Sequence, residues 1–365
     1  MSKKMGLTRR QFIRTVGAGA AVAGLPVYLN PRVSRSAKMT KILYGEAPFI
    51  SKGPNMIALA KGFYKKMGLD VSFKWFFDGG LVVAPLLSGE LDMGSLTPSA
   101  GFFNAVARGG DLTMFLDGGT ESRRDRGYVV TVVSQKLYDE GIRSPGDLKK
   151  IADLPALMSV KGSINEYALD KTYMAGGVDP RKIRYEYGLP QPKAMQLMMK
   201  GRVNISNFAY HFAWIMGKAK KARIIDHASD SATGAIISLS SYSRKKMADV
   251  GRENYVRFAM AFLQGVNLFN EAAGQKPPPN DIIDILSKYT VFKGKKGRGL
   301  MRGIAPHWAW TVPDAKPNKA TLAKMQDHWV DYRGYVKKKA PIDQLADTSI
   351  VHEAAIRLKK EKPFG

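Results

Sequence analysis

KGFYKKMGLDV at residues 61–71, followed by LLSGELDMG at 86–94, is the stretch that decides how this chain folds, because the chain says it a second time. Residues 171–180 read KTYMAGGVDP and residues 198–206 read MMKGRVNIS. In each copy a helical apolar pattern stops at a glycine followed by Leu or Val and then Asp: Gly68-Leu69-Asp70 and Gly177-Val178-Asp179. A second helical pattern then stops at a glycine and runs into a short apolar strand, Gly89 into Leu91–Met93 and Gly201 into Val203–Ile205. From 68 to 177 is 109 residues and from 89 to 201 is 112, an almost constant offset. The spacing predicts two similar α/β units in one polypeptide, and paired α/β units usually hold something between them.

Outward from that phrase, strand and helix patterns alternate. Residues 40–46 predict a first strand, and 55–67 an amphipathic helix with Met56, Leu59, Ala60, Phe63 and Met67 on one stripe. Gly68 is placed as its left-handed stop. Strands at 70–76, 91–95 and 112–116 and helices at 81–87 and 98–108 complete the first unit, and the alternation predicts mostly parallel pairing. The β-rich run YVVTVVS at 128–134 reads as a crossing into the second unit, which opens at Ser144-Pro145-Gly146-Asp147-Leu148. Its strands are expected near 157–160, 183–187, 203–206 and 223–225, with 235–239 as a return strand. From Arg252 the chain reads as helical, to about Ala273, then 280–289, then in shorter pieces after Pro317. Passage from one unit to the other and back is a topology compatible with a hinge.

At the amino terminus, TRRQFIR (8–14) precedes the Gly/Ala-rich run TVGAGAAVAGLPVYL. A basic segment, a modest apolar stretch and a small-x-small site at Ser34-Arg35-Ser36 (or Ala21-Val22-Ala23) describe a removable export signal over residues 1–37. The Arg9-Arg10-x-Phe12-Ile13-Arg14 core is of the twin-arginine type, which makes the twin-arginine translocase an expected partner and the periplasm the expected location. Cysteine is absent from all 365 residues, which excludes disulfides, thiolate metal sites and cysteine nucleophiles. Net charge is +26, yet the Lys and Arg are spread along the chain except for one cluster, KGKKGRGLMR at 293–302. With no zinc-finger spacing and no RNA-binding aromatic phrase, nucleic acid is not an expected partner. A solvated basic surface, anionic ligands and lipid headgroups remain open for that charge.

In open α/β sheets ligands sit beyond the carboxyl ends of strands, where helices begin with unpaired N–H groups and a positive dipole end. Four such junctions carry small or polar residues: Asp78-Gly79-Gly80, Thr97-Pro98-Ser99, Lys161-Gly162-Ser163 and Asn207-Phe208-Ala209-Tyr210. The second and third are expected to face each other across a cleft, although Ser, Thr and Gly also belong at any helix start. Aromatic residues near strand ends would supply apolar walls. The candidate ligand-binding set is Phe49, Ser51, Asn55, Gly79, Gly80, Thr97, Pro98, Ser99, Gly162, Ser163, Tyr167, Asn207 and Tyr210. Glu121-Ser122-Arg123-Arg124-Asp125-Arg126 is either a surface charge run or the source of an arginine for an anionic ligand, and His307-Trp308-Ala309-Trp310 is either packing or a cover over the cleft. The five histidines are scattered, and there is no HExxH pair, Walker loop or GxSxG elbow. The pattern points to binding without chemistry, and no metal or cofactor is expected.

Several phrases together resemble the periplasmic substrate-binding proteins of ABC importers, in the nitrate/sulfonate/taurine branch that includes thiamine-pyrimidine-synthase-like proteins. They are AKGFYKKMGLDV (60–71), LSGELDMG (87–94), IRSPGDLK (142–149) and Gly162-Ser163, within a likeness over about 42–270. The resemblance implies a type II periplasmic-binding-protein fold, two α/β lobes joined by two crossing strands, here with a helical C-terminal extension. On that reading lobe 1 takes 38–127, lobe 2 takes 128–233, and 234–365 returns to lobe 1 and adds the terminal helices. The implied partners are a small solute, a permease and an ATPase at the inner membrane, with the receptor a monomer. The expected ligand is a small anionic or aromatic organic solute: a sulfonate, carboxylate, nitrate or pyrimidine-like compound. Two departures stand out. Val203-Asn204-Ile205-Ser206 replaces the usual Val/Ile-Asp-Ala phrase, and the Trp-x-Pro that follows it elsewhere is absent around Tyr210–Trp214. The family's enzymes lean on cysteine, which this chain lacks. A cysteine-independent lyase or dehydratase using Glu121, Glu166 or His211, and a sensory binding protein, are the alternatives.

Overall fold

The computed structural model describes residues 39–365, so the twin-arginine segment and its cleavage positions lie outside the described residues. Residues 39–365 form one compact unit built on two five-stranded sheets. The first sheet contains β1 (Thr40–Glu46), β2 (Leu69–Trp75), β3 (Met93–Leu96), β4 (Leu112–Thr120) and β10 (Ile236–Ser243). The second contains β5 (Val129–Ser134), β6 (Ala156–Leu157), β7 (Tyr185–Glu186), β8 (Ile205–Ala209) and β9 (Ala222–His227). Their orders are β2-β1-β3-β10-β4 and β7-β6-β8-β5-β9.

These two orders are the same order. In each sheet a strand is flanked by the strands that follow the first and second repeat glycines, and one further strand is inserted before the fourth. The sequence repeat is therefore a repeat of topology. Gly68, Gly89, Gly177 and Gly201 all sit at φ of +70° to +76°, the left-handed conformation that ends a helix and that glycine adopts without a Cβ penalty. The inserted strands, β5 and β10, each come straight after a crossing between sheets, and each pairs antiparallel with both its neighbours. Among β1, β2 and β3, and among β6, β7 and β8, pairing is parallel. Both sheets are thus mixed and not mostly parallel. The run at 128–134 is an inner strand; the crossings are the segments before β5 and before β10. They hydrogen-bond to each other, with Glu121 N–H donating to Ala235 C=O at 2.8 Å and Gly234 N–H to Glu121 C=O at 2.7 Å.

Side-chain alternation fills both faces of each sheet. On β1, Ile42 and Tyr44 enter a core shared with helices Gly53–Ala60 and Arg252–Gly274, while Leu43 packs on the opposite side. On β5, Val130 and Val132 face one cluster and Val133 the other. The C-terminal region is helical, and its residues Trp329, Val336 and Leu345 share a core with Phe102 of the first half and with Ile164 and Tyr167 of the second.

Several expected elements differ. The helix over 55–67 is two pieces, Gly53–Ala60 and Phe63–Lys66, because Gly62 turns left-handed at φ +73° between them. Ser144 opens a 3₁₀ segment, Pro145–Ile151, whose capping box with Asp147 is present but whose turn does not widen into an α-helix. The strands expected at 157–160 and 183–187 pair over only two residues each, since β7 is an edge strand with one neighbour. The cluster at 293–302 lies within a helix, Gly294–Ile304, which its four glycines conceal.

Candidate functional site

Both sheets aim strand ends at one buried hollow. From the first sheet come Ala47 and Phe49 beyond β1, Phe77, Asp78 and Gly79 beyond β2, and Ser95 and Thr97 at the end of β3. Ser51 and Lys52 come from the 3₁₀ turn Ile50–Lys52. From the second half come Tyr128 and Val129 at the start of β5, Ile164 and Asn165 at the start of helix Ile164–Ala175, Gln191 at the start of helix Gln191–Met199, and Ala209 ending β8. The volume is about 60 Å³, room for a few waters or a small polar group. A larger hollow near the C-terminus, about 560 Å³, is an open groove away from these strand ends.

The polar groups around the cavity are positioned from behind. Asn165 donates to Asn207 Oδ1 at 2.9 Å, and Gln191 Oε1 accepts the Ala209 N–H at 2.8 Å. Asp78 caps its own turn, accepting Gly80 N–H at 2.8 Å, and its other oxygen accepts the Ser159 hydroxyl at 3.4 Å from the second half. Burial raises the Asp78 pKa, with those two hydrogen bonds opposing. Lys52 is the cation of the cavity. Burial lowers its pKa, while the fields of Glu46 and Asp117 hold it up. Among the described residues no carboxylate lies within 4.0 Å of its ammonium. Glu46, directed elsewhere, accepts Ala47 N–H at 2.9 Å and Asn55 Nδ2–H at 2.5 Å, and burial raises its pKa. The buried Thr97 hydroxyl has no partner. An ammonium and two oriented amides therefore border a space walled by Phe49 and Phe77, which suits an anionic group attached to an apolar or aromatic body.

Of the expected residues, Phe49, Ser51, Gly79 and Thr97 line this space. The others support it or lie elsewhere. Asn55 sits beneath, between Glu46 and the Tyr64 hydroxyl. Gly80 N–H caps Asp78, and Asn207 orients Asn165. Pro98 C=O accepts the Trp329 indole N–H at 3.2 Å, while Ser99 and Ser163 cap their helices by accepting Phe102 and Glu166 N–H. The Thr97–Ser99 and Lys161–Ser163 junctions do face each other, but they touch: Ala100 N–H donates to Gly162 C=O at 2.9 Å. Tyr167 packs against His328 and Trp329, and Tyr210 borders a separate small cavity with Ser51 and Trp308. Arg123 pairs with Asp125, Arg124 with Asp230, and Arg123 and Arg126 lie against Trp310, so the arginine run does not enter the cavity. Trp308 is buried and stacked on Phe269, which makes the His307–Trp310 stretch packing.

Lys52, Asp78, Ser95, Asn165 and Gln191 escaped sequence reasoning. Asp78 stood in a recognised junction, and Gln191 follows the Leu189-Pro190 that opens its helix. Lys52 and Asn165 carry no local signal that separates them from other surface-type residues.

The profile of the NMT1/THI5-like family matches residues 51–272, well over half of the chain. This chain belongs to the NMT1/THI5-like family. Comparison with curated protein sequences gives no match. Among solved structures, the periplasmic nitrate-binding protein NrtA of Synechocystis PCC 6803 is similar with TM-score 0.72 and 14% identity, covering 90% of this chain and 91% of that one. The alkanesulfonate-binding protein SsuA of Xanthomonas axonopodis pv. citri, bound to MOPS, gives TM-score 0.68 and 14% identity over 86% and 100%. The aliphatic sulphonate binding protein SsuA of Escherichia coli gives 0.65 and 18% over 84% and 91%. At these identities the likeness establishes the periplasmic-binding-protein fold. This NMT1/THI5-like chain carries that fold without any cysteine, and its terminal region from 273 onward lies beyond the family match.

Proposed function

We propose that this protein is an exported solute receptor of an ABC importer, taking a small anionic organic solute into the cavity between its two sheets. The observation that carries the reading is Lys52: a cation at a buried cavity, with no carboxylate in ion-pair reach among the described residues. A sulfonate, carboxylate or nitrate would complete it, with Phe49 and Phe77 against the remainder of the molecule and Asp78 available to a ring N–H. The fold shared with nitrate- and sulfonate-binding proteins supports the same class of ligand.

In this reading residues 38–127 with 234–365 form one lobe and 128–233 the other, and they separate about the crossings at Glu121–Tyr128 and before β10. The chain leaves the cytoplasm by the twin-arginine translocase under direction of residues 1–37, loses that segment, and works as a periplasmic monomer that presents its ligand to a permease and ATPase. It binds without altering the solute.

A thermal-shift screen against sulfonates, aromatic carboxylates, nitrate and pyrimidines is the direct test, followed by mass analysis of recovered ligand. At least one compound should raise the melting temperature, and Lys52→Gln should weaken its binding about thirtyfold or more, the cost of losing one partner of a buried charged contact. A screen with no responding compound, or a ligand whose affinity ignores Lys52, would overturn the reading; a chemically changed ligand would indicate an enzyme.

A further inference from the structure

Gln191 and Asn165, which line the interlobe cavity, are the outer end of a hydrogen-bonded chain that runs inward to a buried carboxylate, Asp226. Asp226 accepts the hydroxyls of Thr172 and Ser231, each at 2.6 Å. A carboxylate only accepts, so the direction of the chain is set at that end. With the Thr172 hydrogen committed there, Thr131 donates to Thr172 at 2.8 Å. Asn207 Nδ2–H donates to Thr131 at 3.4 Å. Asn165 Nδ2 donates to Asn207 twice, to Oδ1 at 2.9 Å and to the backbone carbonyl at 3.3 Å. Gln191 Nε2–H then reaches Asn165 Oδ1 at 3.5 Å. Each link donates toward Asp226.

That direction decides what is left over at the cavity. A side-chain amide has two N–H groups and one carbonyl, and its neighbours fix which way it points. Asn165 spends both hydrogens on Asn207. Gln191 is held from two sides, because its Oε1 accepts the Ala209 N–H at 2.8 Å and one of its N–H groups goes to Asn165. Its second N–H has no partner among the described residues. Tyr128, the other polar side chain that the second half brings to the cavity, gives its hydroxyl hydrogen to Trp310 C=O at 2.9 Å. Among the described residues, then, Gln191 is the one lining side chain of that half with a hydrogen to offer. The first half supplies the charges, the Lys52 ammonium and the Asp78 carboxylate.

We infer that Gln191 sets the specificity of this cavity, and that the solute is an organic anion carrying a carbonyl group. The inference rests on the receptor reading above, in which Lys52 takes the anionic group. A spare neutral N–H calls for a second acceptor on the solute. That acceptor is uncharged, because the cavity offers one ammonium against one carboxylate, and a second negative charge would meet Asp78 without a cation of its own. A carbonyl oxygen satisfies both conditions and adds little bulk to a volume of about 60 Å³. Such a solute is held by Lys52 from one half and by Gln191 from the other.

The test is calorimetric titration of the full chain with matched acids. Pyruvate, 4-oxopentanoate and 5-oxohexanoate are each set beside the alkene acid in which C=CH2 replaces C=O, which keeps the shape and removes the acceptor. For at least one spacing the oxo acid should bind about tenfold more tightly than its alkene partner. Gln191→Met cannot donate, and the ratio should fall to about one. Gln191→Glu keeps the oxygen that Ala209 uses and puts a second acceptor where the NH2 stood, so it guards against loss of fold in the Met variant; its ratio should fall to about one or below. Lys52→Gln should weaken both members of a pair alike. Oxo and alkene acids that bind equally, and through Lys52, would leave the receptor reading standing and overturn this inference. It falls as well if the preference survives the loss of the Gln191 N–H, or if no acid of the series binds.

Discussion

Glu121 stands where the two crossing segments meet, and its side chain is held as closely as its backbone. One carboxyl oxygen accepts the Tyr128 and Val129 N–H groups at 3.0 and 2.8 Å, while the other is buried without a partner. Burial pushes its pKa up to about 8, against those two hydrogen bonds and with Asp226 and Asp230 adding to the rise. The folded state therefore holds this proton more tightly than the unfolded chain. Its contribution is complete below the ordinary glutamate range and is lost as pH climbs from about 4.5 towards 8, at up to about 1.4 kcal/mol per pH unit. Glu121→Gln keeps the acceptor and removes the titration. Urea melts at pH 5 and pH 8 should show the wild-type protein losing stability relative to Glu121→Gln across that interval; parallel pH profiles would refute the assignment. The sequence placed Glu121 in a charge run, but local charge pattern carries no information on burial, and burial is what sets its acidity.

Between elements, one confined contact joins helix start to helix start across the two sheets. Gly162 sits at φ +71°, and a Cβ added there would lie 2.6 Å from the Ala100 Cβ. Gly162→Ala should therefore destabilise the protein through both backbone conformation and collision, by about 1–3 kcal/mol. Adding Ala100→Gly removes the collision and not the conformational part, so the double variant should regain only a portion in urea denaturation. Full recovery, or none, would separate the two causes differently. The repeat glycines were legible because a helix stop needs a left-handed residue whatever surrounds it. The two-residue strands β6 and β7 were not, since their length is set by how far the neighbouring strand runs beside them. The helix at 294–304 was hidden by glycines whose cost is offset by packing of Met301 and Ile304 into the first core.

Across the whole molecule, the C-terminal region straps one half to the other. Arg333 donates through Nε to Asp170 Oδ2 at 2.8 Å and reaches Glu166 at 3.6 Å, both on helix Ile164–Ala175 of the second half. His328 Nε2 bonds Asp170 at 2.9 Å, Tyr335 donates to Glu166 at 2.9 Å, and Tyr332 to Asp179 at 2.6 Å. The same segment is tied to the first half by Trp329 on Pro98 and by Asn104 donating to Tyr335 C=O at 2.7 Å. Opening between the halves must release one of these sets. Arg333→Ala leaves two buried carboxylates without their guanidinium and should cost about 3–5 kcal/mol. Amide exchange should rise over residues 319–340 and at the cavity rim, and small-angle scattering should show expansion. Unchanged exchange in a folded Arg333→Ala protein would rule out a strap that governs opening.

What the amino-acid sequence determined by itself was the doubled α/β plan, because periodicity and left-handed glycines act locally and recur wherever the plan does. The place of the cavity followed, since strand ends and helix starts are where such plans leave donors free. Tertiary structure alone decided the rest. It chose Lys52, Asp78, Asn165 and Gln191 as the polar lining, closed the Thr97–Ser99 junction onto Gly162, and buried Asp170 under a strap more than 150 residues away in sequence. Such choices depend on which surfaces lose water to one another, and that is settled only when distant segments pack.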